Sequence, residues 1–239
     1  MIRPDTILVS VCSVDSELGL VQPIEQIAEL LKQYENIVFH TDASQSIGKV
    51  TIDYHNCDLI TIAPHKFYGL NGVSILVKKH NVSLSPLILG GKSTTIYRSG
   101  TPSTNLIAAT AIALEKAITN LDERNAIIKK YYTQIISNLK EYPKVTINNT
   151  EKSIPSIINL SLSGVKSDLI VSLFNERYIM ISSKTSCCPL NTPSKLVYAL
   201  TKNKNLAITS IRISLSHLTT SEEVAEFLKQ FAQIYKEVA

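Results

Sequence analysis

An α/β fold with a mostly parallel sheet, continued by a smaller α+β domain, is what this 239-residue sequence predicts. Three observations predict it. Short β-branched runs alternate with a helically spaced segment in the first eighty residues, the rhythm of βαβ units. A polar stretch over 80–102 breaks both periodicities before a long helical region at 103–141. Beyond that, short strands interleave with helices, the texture of an α+β domain. The division expected is 1–120 for a partial large domain and 121–239 for a small C-terminal domain that includes the linking helix.

In chain order, "TILVSVCSV" (6–14) is a β-branched strand, and "IEQIAELLKQY" (24–34) carries apolar residues at helical spacing. Next come the strands "NIVFHTD" (36–42), "DLITIA" (58–63) and "VSILVKK" (73–79). The helical region has two parts, "STNLIAATAIALEKAITNL" and "ERNAIIKKYYTQIISNLKEY". Strands are expected at 144–149, 156–162, 178–182 and 210–216, and helices near 166–176, 193–200 and 221–237. No internal repeat and no low-complexity tract interrupts this order.

Composition narrows the function classes. With 44% hydrophobic and 18% charged residues the chain has the make-up of an ordinary soluble globular protein. A net charge of +4, dispersed Lys and Arg, 6% aromatics and no Trp give no dedicated nucleic-acid surface. No apolar run approaches the roughly 18–20 residues of a membrane span, and "MIRPDTILVS" lacks a signal peptide's layout. A cytoplasmic location is the expectation, with no membrane partner. Cys12, Cys57, Cys187 and Cys188 have no framework spacing, so they read as thiols. Cys12 and Cys57 are expected to be buried and structural, whereas "SSKTSCCPLNTP" (182–193) has loop composition and places Cys187 and Cys188 on an exposed, reactive segment.

Parallel α/β sheets bind ligands beyond the carboxyl ends of their strands, and "HTD" ends one strand while "APHK" follows another. Taken singly, Lys66 and His65 are equally well solvated loop residues, and Asp42 equally well caps a turn. Together, a carboxylate and an amine at neighbouring strand ends can address opposite edges of one flat ring. Pyridoxal phosphate needs those two groups, an amine for its aldehyde and a carboxylate for its pyridinium nitrogen. Arg212 in "SIRISLS" alternates with Ile211, Ile213 and Leu215, so it lies on the opposite face of its strand, as a solvated residue or a ligand clamp.

In this order, "HTDASQSIGKVTID", "APHKFYGLNG", "YRSGT", "SSKTSC" and "SIRISLS" resemble the class V aminotransferase family of fold-type-I pyridoxal-phosphate enzymes. Within it they resemble the NifS/IscS-like cysteine desulfurases, over nearly the whole chain. The resemblance implies a pyridoxal 5'-phosphate transferase of fold type I. Lys66 then matches the Schiff-base lysine, Asp42 the pyridinium partner, Gln45 the residue bonding the phenolic oxygen and His65 a phosphate contact. Thr101 matches a residue that reaches the phosphate of the partner subunit in a homodimer, and Arg212 the arginine that binds the substrate carboxylate. Read forward from "SS", Cys187 aligns with the persulfide-forming cysteine, with Cys188 as the alternative.

The implied reaction converts L-cysteine to L-alanine and passes sulfur through a persulfide to an acceptor protein, for iron–sulfur cluster biosynthesis or tRNA thiolation. A sibling class V aminotransferase or selenocysteine lyase would share Lys66 and Asp42. An inactive fragment acting only in protein interactions is the third alternative. Departures from the family are Asp15-Ser16-Glu17 in place of Asn-Asn-Glu, Ala63 where a phosphate-binding serine is usual, and "GGKSTTIYRSG" without the usual glycine-histidine-glutamate run. The match begins within the family's large domain, so an incomplete copy of a longer enzyme, inactive on its own, is expected ahead of a split enzyme that needs a second polypeptide or a decayed, non-catalytic protein.

Overall fold

The computed structural model describes residues 2–92, 95–184 and 192–238. It divides into two units, one of Met1–Val14 with Gln22–Leu121, the other of Asp15–Val21 with Asp122–Ala239.

The first unit is built on a four-stranded sheet in the order β1-β2-β3-β4. β1 (Leu8–Cys12), β2 (Val38–Asp42) and β3 (Leu59–Ile62) run parallel, and β4 (Ile75–Lys78) is antiparallel to β3. Helix α1 (Ile24–Leu31) makes the crossover between β1 and β2 and buries Ile24, Ala28 and Leu31 against Phe39 and Cys57. Their i, i+4, i+7 spacing lines one helix face, which is why this short segment is helical here. Helix α2 (Thr104–Thr119) packs Ala117 with Ala43, Ile62 and Phe67. Gly48 permits that approach: with φ +73°, a Cβ on it would lie 2.9 Å from that of Ala117.

The sheet's two faces differ. Phe39 and Thr41 on one are buried, while Leu8, Ser10, Cys12 and Asp42 on the other are exposed. Ser10 Oγ and His40 Nδ1 lie 2.7 Å apart on that open face, and His40 Nε2 lies 2.8 Å from Thr61 Oγ1. Cys12 therefore corrects the sequence expectation. It is exposed, because alternation turns it toward the open face, whereas Cys57 is buried.

The second unit has a three-stranded antiparallel sheet, β5-β6-β7, from Val145–Ile147, Ile157–Leu162 and Ser210–Ser214. All six residues of β6 are buried. Ile158, Leu160 and Leu162 enter an apolar core with Ile211 and Ile213 of β7. That core is completed by α3 (Leu121–Leu139), α4 (Ser167–Asn175) and α7 (Ser221–Val238). The intervening residues of β6 are polar. Asn159 and Ser161 are fully buried and share the Asn148 amide, at 2.7 and 2.8 Å.

Two elements differ from the sequence expectation. Residues 178–182 form no strand: Tyr178 takes φ +59° as α4 ends, and pairing is confined to one bridge between Ser182 and Arg212. The alternation there is real, with Ile179 and Ile181 against the core and Tyr178 and Met180 exposed, but it arises without a ladder. Between α5 (Lys195–Thr201) and β7 lies the short helix α6 (Lys204–Thr209), started by Asn203, whose side chain accepts from the N–H groups of Asn205 and Leu206. Such a cap stabilises a helix by about 1 kcal/mol, enough to matter in an element too short for periodicity. Among the described residues no helix is long and apolar enough to cross a membrane.

Candidate active site

In the first unit, Asp42 is the last residue of β2 and Lys66 lies four residues past the end of β3, the neighbouring parallel strand. After Ile62 the chain enters a 3-10 turn, Pro64–Phe67, with proline at its start. Pro64 and Phe67 are buried, so His65 and Lys66 between them are exposed. Tyr68 follows at φ +73°, and Gly69 N–H closes the turn on Pro64 O at 2.9 Å. The lysine at the mouth of an apolar strand is thus displayed by the turn that carries it.

One serine joins this turn to the one bearing Asp42. Ser44 N–H donates to Asp42 Oδ1 at 2.9 Å, and Ser44 Oγ accepts from Ala63 N–H at 3.1 Å. Ala43 N–H adds a bond to Thr61 O at 2.8 Å. Beneath them, Ser13 Oγ bonds Asp42 O and Ser46 Oγ, at 3.0 and 2.9 Å, and Ser46 Oγ lies 2.5 Å from Tyr54 Oη. Burial raises the Tyr54 pKa, which keeps its phenol protonated as a donor. Gln45 is half-buried, and Lys49 Nζ donates to its Oε1 at 2.7 Å. With that oxygen engaged, the NH2 group is the side chain's remaining donor. Thr101 is exposed, three residues ahead of α2 and next to Gly100 at φ +104°.

In the second unit, Arg212 sits at the centre of β7 and is half-buried. Its Nη1 donates to Ser16 O at 2.8 Å, and its Nε is buried without a hydrogen-bond partner among the described residues. Burial lowers its pKa and the charge of Glu17 raises it. The backbone of Arg212 pairs both ways with Ser182, at 2.6 and 3.0 Å. Cys187 and Cys188 lie outside the described residues. Sequence reasoning missed the Ser44 bridge, and it marked Asp15-Ser16-Glu17 only as a departure from the family, not as a loop of the second unit. Ser44 lay within the quoted "HTDASQS", but a serine in a turn carries no signal of which strand it will meet.

The model of the family described as aminotransferase class-V matches residues 1–227. The chain therefore belongs to the class V aminotransferase family. It is 34% identical, over 95% of its length and 46% of the relative's, to the mitochondrial cysteine desulfurase of Saccharomyces cerevisiae. A solved NifS-like protein superposes with a TM-score of 0.89 at 29% identity, covering 99% of this chain and 63% of the other. A second solved structure, SspA in complex with cysteine, gives 0.72 at 31% identity, covering 92% and 61%. The chain spans about half the length of the curated relatives it matches.

Fold type I is thus the architecture of this chain, and pyridoxal 5'-phosphate is the cofactor of the family. The chemistry of the groups in the first unit fits the ring of that group: an exposed carboxylate, an exposed primary amine and an amide with a donor to spare, following the ends of adjacent parallel strands.

Proposed function

We propose that the chain serves a pyridoxal-phosphate-dependent cysteine desulfurase that converts L-cysteine to L-alanine and hands the sulfur to an enzyme cysteine. The observation that carries this reading is the pairing of Asp42 and Lys66 at neighbouring strand ends, stitched by Ser44. The desulfurase relatives, and the complex of SspA with cysteine, support the choice of substrate.

With pyridoxal phosphate bound, Lys66 would hold it covalently, Asp42 would serve its ring nitrogen, Gln45 its phenolic oxygen and His65 its phosphate. Thr101 makes its contact across a homodimer. When bound, the cofactor supplies an electron sink for a carbanion at the substrate's α-carbon. The Asp42 carboxylate would keep a proton on the ring nitrogen. Lys66 Nζ takes the α-proton and returns it, the work of an exposed amine on a rigid turn. Arg212 binds the substrate carboxylate through its fork of donors. Cys187, as thiolate, attacks the substrate sulfur: an S–S bond forms, the C–S bond breaks, and the β-carbon gains a proton to give alanine. The persulfide then passes to an acceptor protein in the cytoplasm.

The test is covalent trapping. With excess pyridoxal phosphate and borohydride, residues 1–239 should carry the pyridoxyl group on Lys66 in preference to the other lysines, as read by peptide mass spectrometry. Lys66→Ala should abolish the preference, and L-cysteine added before the reductant should lower the yield at Lys66. Labelling spread evenly over the lysines would overturn the reading.

A further inference from the structure

Asn159 is fully buried in β6, and the reaction above gives it no task. It pairs with Arg212 across β6 and β7, so the two side chains leave the sheet on one face, opposite the core that takes Ile158, Leu160, Ile211 and Ile213. Both reach the loop Asp15–Val21 at adjoining carbonyls. Arg212 Nη1 donates to Ser16 O at 2.8 Å, and Asn159 Nδ2 donates to Glu17 O at 3.1 Å. The next two carbonyls are taken as well, Leu18 O by Asn149 Nδ2 at 3.1 Å and Gly19 O by Ile154 N–H at 2.8 Å.

The loop is also closed from within. Asp15 Oδ1 accepts the N–H groups of Glu17 and Leu18, at 2.9 and 2.7 Å. A peptide unit is planar, so gripping its N–H and its C=O fixes the whole plane. The Ser16–Glu17 plane is gripped by Asp15 and Arg212, and the Glu17–Leu18 plane by Asp15 and Asn159. Asn159 is itself tied: its Oδ1 accepts Asn148 Nδ2 at 2.7 Å, and its backbone N–H donates to Asn149 Oδ1 at 2.7 Å. With oxygen and backbone engaged, the direction of its Nδ2 is set.

We propose that Asn159 is a positioning residue for Arg212: by fixing Glu17 O it holds the neighbouring Ser16 carbonyl in place, and that carbonyl orients the guanidinium toward a substrate carboxylate. The proposal rests on the reading of Arg212 as the carboxylate clamp. Asn159, Asn149 and Ile154 N–H hold the loop with neutral donors, so the bond from Nη1 orients the arginine more than it secures the loop. An arginine has many rotamers to lose, and a fork of donors recognises a carboxylate only when its plane is fixed. One tied nitrogen fixes that plane and leaves the other N–H groups of the fork to the ligand.

Rotation of the Arg212 guanidinium, read by NMR as exchange between its two Nη nitrogens in the full chain, measures the restraint without any ligand. Asn159→Ala should quicken that exchange about fivefold, the restraint lost with one hydrogen bond. Ser161→Ala removes a different buried bond of the same polar layer, to Leu206 O at 2.8 Å, and should leave the Arg212 exchange at the wild-type rate. A wild-type rate in Asn159→Ala would overturn the proposal, as would equal quickening in Ser161→Ala, which would mark general loosening. Should Asn159→Ala fail to fold, Asn159→Thr decides: threonine suits a strand, offers Asn148 an oxygen and lacks the amide, and an unquickened exchange there would equally overturn the proposal. L-Alanine, the product of the proposed reaction, serves as the carboxylate probe. It should shift the Arg212 Nε signal in the wild type and need a several-fold higher concentration in Asn159→Ala. No shift in the wild type would overturn the clamp, a failure distinct from any change in exchange because the exchange is measured without ligand.

Discussion

Cys12 and Cys57 differ more in their surroundings than in their sequence context. Cys57 is buried, and desolvation pushes its pKa up to about 11. Cys12 is exposed at the end of β1. Only a thiolate alkylates readily. At pH 8, iodoacetamide should therefore label Cys12 and spare Cys57, as read by peptide mass spectrometry. The sign for stability follows. The raised folded-state pKa favours the protonated thiol, so this contribution is complete below the ordinary cysteine value and is lost as pH rises toward about 11. Labelling of Cys57 at pH 8 as fast as Cys12 would contradict the burial. Sequence read these two cysteines alike because an isolated cysteine is commonly a buried structural one. Burial was decided by which sheet face α1 covers, and no local pattern carries that. Asp42 and Lys66 were legible for the opposite reason, since a strand end is a local feature and the chemistry of the two groups is complementary.

Among the elements, the 3-10 turn carries the largest functional demand on the fewest residues. A Cβ on Gly69 would lie 2.7 Å from Pro64 Cβ and 3.0 Å from Pro64 O. Backbone must move to admit it, at a cost on the order of 1–3 kcal/mol. Gly69→Ala should lower the denaturant midpoint of the first unit and reduce pyridoxyl trapping at Lys66. Gly91→Ala, where nothing lies within 4 Å, should do neither. Equal effects of the two substitutions would show that the turn's closure does not position Lys66. The parallel strands and the long helices were readable because their periods repeat over enough residues. The element expected at 178–182 failed because alternating burial is produced equally by an extended chain lying over a core. Helix α6 was missed because six residues hold too few repeats of the 3.6 period.

At the scale of the whole molecule, Asp15–Val21 belongs to the second unit although the residues on both sides of it belong to the first. Its anchors lie more than a hundred residues away: Val21 N–H to Lys152 O at 3.0 Å, Ile154 N–H to Gly19 O at 2.8 Å, and Asn159 Nδ2 to Glu17 O at 3.1 Å. Leu18 adds apolar burial with Val197 and Ala207. A loop with such partners has no signature in its own residues, which is why the sequence did not announce it. The consequence is testable by a single cut. Leu87 and Leu89 are 95% and 80% exposed in an irregular stretch, the kind of site a protease takes first. Thermolysin should nick there, giving an N-terminal piece that ends near residue 87 and a C-terminal piece that contains the whole of α2 onward. The N-terminal piece keeps 15–21, so its own chain remains built into the second unit through several buried hydrogen bonds, each worth about 1 kcal/mol net, plus the burial of Leu18. The two pieces should co-elute from a native sizing column and separate only under denaturing conditions, and the double substitution Asp15→Ala with Leu18→Ala should lower the denaturant concentration at which they part, the packing of α2 against Ala43, Ile62 and Phe67 remaining. Separation of the unmodified pieces on the native column would show that 15–21 does not hold the chain together.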